Sequence, residues 1–419
     1  MTQTTLRDDE LLDLVQRQTL RYFWDFAHPV SGLARERSDV TPGCGPDVVT
    51  TGGTGFGIMA IIAGVERGWL DRAAASNRLL EMARFLGHAE RHHGIFAHWL
   101  DGRTGRTVAF SELDDGADLV ETSFLLMGLL TARQYFGGNG AAERELRERV
   151  DALWNEAEFD WHTKGDEDML YWHWSERHGW AMNHPIRGWN ECLVTYVLAA
   201  SSRRHAVRPE AYHRGWAGGS RLANGRTYHG IRLPLGPDHG GPLFFAHYSF
   251  MGLDPRGLED RYADYLEQNV AHTLINHRHC VANPNGHAGY GEACWGLTAS
   301  DDPWGYEAHA PDRDRGVITP TAAIASMPYT PALSLAALRH FMDYDDGRLW
   351  TDMGFVDAFC PAEAWRAGSH LAIDQGPIVV MIENHRSGLL WRLFMSCPEI
   401  RDGLRRLGFT SPHLGATSA

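Results

Sequence analysis

The sequence predicts an all-α protein built as a ring of helical hairpins. Apolar residues recur at three- and four-residue steps through ten stretches, whereas the two-residue alternation of half-buried strands is scarce. About a dozen helices over 419 residues corresponds to about 35 residues per helix and 70 per pair. This spacing favours a toroid such as an (α/α)6 barrel, with an irregular two-domain helical protein as the alternative. No internal sequence repeat supports either architecture.

The helices are predicted in order along the chain. The first covers residues 9–27 and stops at His28, because a residue that precedes proline avoids the helical conformation. Further helices are predicted over 53–67, 72–87, 118–136, 141–156, 189–204, 257–276, 319–341, 376–388 and 393–407. Several connections, including 39–53, 160–185 and 215–242, are longer than helix hairpins require. Long loops on a helical scaffold usually build a binding cleft on one face.

The domain organisation follows from the absence of a linker. No Ser/Gly-rich or Pro-rich tract divides the sequence, and apolar helices continue on both sides of every long loop. The chain is therefore expected to form a single domain over residues 1–419, with its core at about 10–409.

Composition and charge exclude several classes of partner. The 39 Lys and Arg residues against 53 Asp and Glu residues give a net charge of −14, which disfavours nucleic acid and anionic membranes. No apolar run reaches the length of a membrane span, and the first residues resemble no export signal. We expect a cytoplasmic monomer, or a periplasmic protein if a leader was removed. The six cysteines form no C-x-x-C pair and are expected to be buried thiols.

Three acidic clusters are candidates for chemistry. In the first, Asp114 precedes a helix that begins near residue 117, and Asp118 and Glu121 share one face of it. Helix capping alone explains an aspartate at a helix start. Glu121 is different, because apolar residues follow it and a carboxylate in such surroundings is normally partnered or functional.

The second and third clusters adjoin other apolar helices. Glu191 lies beside Trp189 and Asn190, where burial would raise its pKa as a general acid requires. A structural ion pair between Arg187 and Glu191 is the alternative. Asp374 is expected at the end of a loop, with Pro377 at the first helical position after it.

Aromatic and polar side chains around these clusters could bind a polyhydroxylated ligand. The 15 tryptophans offer flat apolar faces that can either stack on sugar rings or pack in the core. Glu383 and Asn384 could instead form a polar network with Arg386. The candidate binding residues are Trp172, Trp174, Arg187, Trp189, Asn190, Phe245, His247, Tyr248, Trp295, Thr298, Ser300, Asp301, Tyr329, Gln375, Glu383 and Asn384.

Other motifs lack the required spacing. The glycines of TGGTGFG at 51–57 do not match a phosphate-binding loop, and we interpret them as a tight approach to a helix start. The histidine pairs 92–93 and 277/279 lack metal-ligand spacing, so neither a metal nor a cofactor is predicted. No G-x-S-x-G elbow is present, which disfavours an α/β-hydrolase.

Six long motifs are distinctive: DLVETSFLLMGLL, MNHPIRGWNECLVTYVLAASS, GGPLFFAHYSFMGLDPR, CWGLTASDDPWGY, ITPTAAIASMPYTP and LAIDQGPIVVMIENHRSGLLWRLFMSCPEI. Together they resemble glycoside hydrolase family 144, whose founding activity is endo-β-1,2-glucanase. The resemblance runs from about Leu20 to Phe409. It implies one (α/α)6 barrel, a metal-independent inverting reaction, and β-1,2-linked glucan as substrate.

The resemblance also implies roles for individual residues. Glu191, in R-G-W-N-E, matches the general acid, and Asp374, in A-I-D-Q-G-P, matches a base that acts through a water relay. Asp114, Asp118 and Glu121 match residues that line the cleavage subsite, and Asp118 and Glu121 compete with Asp374 as base. Alternatives are an exo-acting enzyme that releases sophorose, a β-1,2-glucan transglycosylase, and more remotely a polysaccharide lyase, a sugar epimerase or an inactive sugar-binding protein.

Overall fold

The structure is a computed structural model that describes residues 6–39, 45–218 and 222–415. No helix in these ranges combines the length and the apolar character that crossing a membrane requires. In chain order the helices are α1 (Asp8–Trp24), α2 (Thr51–Glu66), α3 (Arg72–His88), α4 (Leu119–Tyr135), α5 (Ala141–Glu156), α6 (Leu193–Ser201), α7 (Phe244–His247), α8 (Tyr265–Ala282), α9 (Pro320–Ile324), α10 (Pro331–Asp343), α11 (Ala372–Ser387), α12 (Leu389–Met395) and α13 (Pro398–Arg406).

In the described ranges the strands are short and antiparallel, and they form sheets of two or three strands in the connections between these helices. One sheet has the order β1 (Val48–Thr50), β2 (Trp99–Asp101), β3 (Thr107–Val108). The two-stranded pairs are β4 (Ala117–Asp118) with β6 (His173–Trp174), β5 (Leu170–Tyr171) with β7 (Pro185–Ile186), β8 (Thr227–Tyr228) with β9 (Ile231–Arg232), β10 (Ala299–Asp302) with β11 (Gly305–Ala308), β12 (Trp350–Thr351) with β13 (Gly354–Phe355), and β14 (Phe359–Cys360) with β15 (Trp365–Arg366).

The helices alternate along the chain between a buried inner ring and a partly exposed outer ring. Helices α2, α4, α6, α9 and α11 are buried along most of their length. Helices α1, α3, α5, α8 and α10 bury one face. The helical turns at 244–251 supply a sixth inner element, and a π-helical turn at Ala211–Trp216 supplies a sixth outer one. This is the predicted (α/α)6 architecture.

Helix α12 closes one end of the inner ring. It follows α11 through Gly388, whose φ of 66° ends that helix in the left-handed region. Its buried apolar face packs on α2, α4 and α11, and the Trp391 indole donates a 2.6 Å hydrogen bond to the carbonyl of Phe250. The N-terminal ends of the inner helices are left to form the site.

Two glycines allow α2 and α4 to pack closely. A Cβ added at Gly55 would overlap the carbonyl oxygen of Phe124, and one added at Gly128 would overlap the carbonyl oxygen of Gly55. The contact is therefore backbone against backbone, which no larger residue permits. The TGGTGFG glycines, expected as a tight approach to a helix start, lie inside α2 itself, and Gly52 closely approaches Glu121 at the start of α4.

Proline positions explain where helix bounds differ from those expected. The helix expected over 319–341 is divided into α9 and α10, because Pro331 starts a new helix and Pro328 precedes it. The helix expected over 393–407 is divided before Pro398 in the same way.

The third acidic cluster was also placed wrongly. Pro377 does not start α11, which begins five residues earlier at Ala372 and contains the proline. Asp374 is therefore not at a loop end but in the first helical turn, and it is only 2% exposed. The helix tolerates Pro377 near its start at the loss of one intrahelical hydrogen bond.

Five cysteines are buried thiols, as expected: Cys192, Cys280, Cys294, Cys360 and Cys397. The expectation for Cys44 falls outside the described residues.

Candidate active site

A cavity of about 380 Å³ opens at the N-terminal ends of the inner helices. Its wall takes at least one residue from the start of, or from just before, α2, α4, α6, α7 and α11. The lining residues are Glu36, Arg37, Thr50, His98, Trp99, Phe110, Glu121, Phe124, Trp172, Glu191, Phe244, Tyr248, Ala299, Tyr306, Leu371 and Ile373. Aromatic walls with few convergent carboxyl groups are typical of a binding site for a partly apolar, hydrogen-bonding ligand.

Asp118 caps α4 and holds His98 at the cavity wall. One carboxylate oxygen accepts the backbone N–H groups of Val120 and Glu121 at 3.0 and 2.9 Å, and the other lies 3.1 Å from Nδ1 of His98. Burial acts to raise the pKa of Asp118, but the hydrogen bond and charge of His98 outweigh it and lower that pKa. Burial acts to lower the pKa of His98, but the charges of Glu121 and Asp118 and the hydrogen bond to Asp118 outweigh burial. The pKa of His98 is raised to about 9.

Glu121 and Asp114 complete this acidic cluster. Glu121 accepts the backbone N–H of Gly52 at 2.8 Å, and a side chain at position 52 would collide with that carboxylate. Burial raises the pKa of Glu121 against the opposing charge of His98. Burial and the charge of Asp118 raise the pKa of Asp114 to about 7. The His98 imidazolium thus sits among three acidic side chains of unequal proton affinity.

Glu191 is the carboxyl group best placed to donate a proton. It lies two residues before α6, lines the cavity and is 8% exposed. Burial, with the charges of Glu121 and Asp118, raises the pKa of Glu191 to about 7. No salt bridge joins it to Arg187 in the described part of the chain, which disfavours the alternative of a structural ion pair.

Asp374 lies behind the cavity wall rather than in it. Neither of its carboxyl oxygens has a hydrogen-bond donor among the described residues, and the Thr321 hydroxyl donates to its backbone carbonyl at 2.8 Å. Burial and the neighbouring Asp357 carboxyl raise the pKa of Asp374 well above its usual range. Tyr248 and Tyr306 line the cavity. Burial raises the pKa of both phenols, and the nearby charge of Asp374 raises it further.

Four predicted site residues line this cavity: Glu121, Glu191, Trp172 and Tyr248. Asp118 and Asp374 lie directly behind the wall of the cavity. His98 stands between Asp118 and the cavity, and Tyr248 and Tyr306 stand beside Asp374. Another group lines a neighbouring depression on the far side of the Glu191 loop, and consists of Arg187, Trp189, Asn190 and Phe245.

The other candidates from the aromatic and polar stretches mostly support the structure around the cavity. Trp174 packs against His93 and Trp161, and Trp295 packs edge-on to His277 in the core. Several polar candidates bond to protein groups: His247 with Ser326, Thr298 with the N–H of Phe244, Ser300 with Thr319, Asp301 with Arg37, and Tyr329 with the carbonyl of Ala246.

Glu383, Asn384 and Gln375 are not among the lining residues of the cavity. Glu383 is bound by Gln16, Ser387 and Arg67, the last at 2.8 Å between Nε and a carboxylate oxygen. Asn384 donates to the carbonyl of Met251, and Gln375 to that of Phe355. These partners favour the polar-network alternative for Glu383 and Asn384 over substrate contact. Arg386 joins this network through Gln16.

Sequence reasoning missed His98, Tyr306, Arg37 and Asp357. One histidine among 23 carries no local signal, although its neighbour Trp99 marks an aromatic segment. The other three lie far along the chain from the clusters that they join, so only the folded ring brings them together.

One group of side chains has the spacing of a cation site. Ligand atoms of His98, Asp114 and Asp118 lie within 4.8 Å of one another, and this is the only such group among the residues that the structure describes. The charge of the imidazolium already compensates the two carboxyl groups, so the arrangement needs no cation to explain it.

Comparison with known proteins identifies the family. The family model described as "Putative glucoamylase" matches residues 183–398. A Bacteroides uniformis protein of that same description has a crystal structure, and its sequence is 57% identical to this chain. The two structures align over 98% of this chain and 99% of that one, with a TM-score of 0.96. An endo-β-1,2-glucanase from Chitinophaga pinensis, solved as a complex with sophorotriose and glucose, is 49% identical over 98% of this chain and 100% of its own, with a TM-score of 0.95. This chain belongs to the glucoamylase-like glycoside hydrolase family 144.

A longer relative of the family 144 chain has another cleavage mode. An exo β-1,2-glucooligosaccharide sophorohydrolase from Parabacteroides distasonis is 45% identical over 96% of this chain. The family 144 chain spans 58% of the length of that curated relative. The predicted family and barrel are confirmed, and Glu191 of the R-G-W-N-E motif lines the barrel cavity together with aromatic side chains.

Proposed function

We propose that this family 144 member is a glycoside hydrolase that cleaves β-1,2-glucan within its chains. The observation that carries the proposal is Glu191, a buried carboxyl group with a pKa of about 7 in the wall of an aromatic cavity. A group with this pKa keeps a proton at neutral pH and can give it to a glycosidic oxygen. Relatives named for β-1,2-glucan cleavage, at 45–49% identity, support the choice of linkage.

The reaction proposed is hydrolysis with inversion. Glu191 protonates the glycosidic oxygen as the bond breaks, while Asp374 removes a proton from the attacking water on the opposite face of the sugar. Asp374 is separated from the cavity by its wall, so the proton travels through an intervening water. Asp118 and Glu121, the competing candidates for the base, are occupied by His98 and by the N–H of Gly52.

The cavity wall accounts for sugar binding. Trp99, Trp172 and Tyr306 present aromatic faces or edges to the space beside Glu191. Sugar rings stack on such surfaces through their apolar C–H faces. The His98 imidazolium and the Glu121 carboxylate offer a charged donor and an acceptor for hydroxyl groups at the cleavage subsite.

An exo-acting mode is the second candidate, favoured by the 45% identical sophorohydrolase. The two modes differ in products. An endo enzyme shortens long chains to a mixture of sophoro-oligosaccharides from the first minutes, whereas the exo enzyme releases sophorose alone. A transglycosylase would return cyclic or longer products without net release of reducing ends.

A panel of polysaccharides tests the proposal. Purified protein is incubated with β-1,2-, β-1,3-, β-1,4- and α-linked glucans, and reducing ends and chromatographic product profiles are followed over time. We expect release from β-1,2-glucan at least about 100-fold faster than from the other linkages, since only its geometry suits the subsite. Equal rates on two linkages, or an unsaturated product that absorbs in the ultraviolet, would contradict hydrolysis of β-1,2-glucan.

A further inference from the structure

A second carboxyl group lies against Asp374, deep in the wall beside the cavity. Asp357, between β13 and β14, is 2% exposed, and its side chain lies within hydrogen-bonding reach of the Asp374 carboxyl. The backbone N–H of Asp301 donates to one Asp357 oxygen at 2.7 Å. The other Asp357 oxygen and both Asp374 oxygens are buried without a donor among the described residues. If both groups were ionised, two buried carboxylates would face each other with no proton between them.

The charges around the pair make double ionisation costly. Asp301 and Glu36 both face it, and Arg37 is held by both of those carboxylates, at 3.1 Å to Asp301 and 2.9 Å to Glu36. Because the Arg37 guanidinium already binds these two carboxylates, its charge only partly compensates the charges of Asp357 and Asp374. On the cavity side, Tyr306 and Tyr248 pack beside Asp374 as neutral phenols. Buried like charges that share a site retain one proton between them.

The hydrogen bonds decide which partner keeps that proton. The N–H of Asp301 and the nearby Arg37 favour the ionised form of Asp357. Asp374 receives no such donor, and its hydroxyl can donate to Asp357. Burial, followed by the charge of Asp301, raises the pKa of Asp357, and burial, followed by the charge of Asp357, raises the pKa of Asp374 well above its usual range. The resting pair is an Asp374 acid bonded to an Asp357 carboxylate.

We propose that Asp357 and Asp374 work as one base with a single proton between them, Asp357 being the positioning residue that receives the proton of Asp374. When water attacks the sugar, its proton passes through the relay to the free oxygen of Asp374. The proton that Asp374 already carries moves to Asp357, and both groups end protonated. The hydroxide equivalent forms the new bond to the anomeric carbon, and the departing glycosidic oxygen takes the proton of Glu191. Before the next turnover the pair loses one proton to bulk water and Glu191 takes one up from it.

This inference deepens the proposed hydrolysis, so its first test uses no substrate. Asp357→Asn keeps an acceptor for the N–H of Asp301 and supplies an amide donor to Asp374. Protein labelled with carboxyl-¹³C aspartate is compared by infrared difference spectroscopy at pH 7. All proteins are compared in an Asp114→Asn background, because Asp114 has a pKa of about 7 and would contribute a labelled protonated-carboxyl band of its own. In that background we expect a labelled protonated-carboxyl band that is lost when Asp357 or Asp374 is also replaced by asparagine. The exposed Asp352→Asn serves as the matched control and keeps the band.

The second test asks whether the pair takes part in turnover. In the wild type the acidic limb of kcat/KM reports protonation of the Asp357 carboxylate in the singly protonated pair, whereas in Asp357→Asn it reports protonation of Asp374 alone, so the limb moves. We expect a shift of at least one pH unit in Asp357→Asn with a lower kcat, and no shift in Asp352→Asn. Thermal unfolding checks that each variant is folded.

The outcomes separate this inference from the proposed function. An Asp114→Asn protein that lacks the band, or a band that survives in both pair variants, overturns the shared proton whatever the substrate is. Cleavage of β-1,2-glucan with an unmoved acidic limb in Asp357→Asn refutes the role in turnover and leaves the proposed function standing. Loss of the band as expected, with no cleavage of any glucan, refutes the proposed function and retains the proton-sharing pair.

Discussion

At the scale of single residues, the site works by giving neighbouring carboxyl groups different proton affinities. Asp118 stays ionised because His98 and two helical N–H groups bind it, whereas at Glu191 burial outweighs the one hydrogen bond from its own backbone N–H. Two carboxyl groups of one site are thereby held in different protonation states. This division of roles is what acid-catalysed cleavage of a glycosidic bond needs.

The proton affinity of Glu191 predicts the alkaline limb of the pH profile. A general acid is active when protonated, so kcat/KM should fall about tenfold per pH unit above a midpoint near pH 7, where Glu191 loses its proton. Initial rates on β-1,2-glucan between pH 5 and 9 measure this limb. Asp114 also has a pKa of about 7, and Asp114→Asn is the control, because the limb should persist without it. A profile that is flat to pH 9 would show that Glu191 is not the acid.

The sequence predicts these residues unequally. Glu191 and Glu121 could be recognised as candidate site residues because each lies at the start of an apolar helix. Burial of a carboxylate there is costly unless the group is partnered or functional. Asp357 had no such signal, since it lies in a short loop between strand pairs and meets Asp374 only through tertiary packing. For Glu383 the sequence left a polar network open as an alternative, but its partner Arg67 lies just after α2, and local pattern cannot show that contact.

At the scale of helices, the close approach of α2 and α4 positions the acidic cluster. Gly52 lies at the start of α2 and donates to Glu121 in the first turn of α4, and the two helices then run together through Gly55 and Gly128. Any separation of the helices would lengthen the hydrogen bond to Glu121. The packing of the ring and the geometry of the site are therefore one feature.

Substitution of Gly128 by alanine tests this packing. The added Cβ would overlap the Gly55 carbonyl, and such overpacking costs about 1–3 kcal/mol in the free energy of unfolding, measured by urea denaturation. Gly87→Ala is the matched control in α3, where the nearest atom would be 3.8 Å away, and it should be neutral or stabilising. Equal stabilities of the two variants would mean that the α2–α4 contact is not close-packed.

Helix existence was easier to predict than helix bounds. The amphipathic outer helices α1, α3 and α5 fall close to the expected ranges, because one apolar face fixes their period. Helix α8 begins at Tyr265, later than expected, where Asp264 caps it through two backbone N–H groups. The apolar run alone did not show which residue would supply that cap.

At the scale of the whole molecule, the barrel has two different ends. Helix α12 fills one end with apolar side chains, and the other gathers the N-terminal ends of inner helices around the cavity. Helix N-termini carry partial positive charge, which favours the carboxylates placed there. The regular helical spacing in the sequence predicted the ring, but not which end would hold the site, since this depends on how α12 folds back after Gly388.

The most direct measurement compares the wild type with Glu191→Gln on β-1,2-glucan. The glutamine keeps the size of the side chain but holds no proton to donate, so we expect kcat to fall by about 10²–10⁴-fold. Binding of sophoro-oligosaccharides, measured by calorimetry, should stay within a few-fold of the wild-type affinity, because the aromatic walls are unchanged. A Glu191→Gln enzyme with the turnover of the wild type would contradict the proposal that this cavity cleaves β-1,2-glucan with Glu191 as its acid.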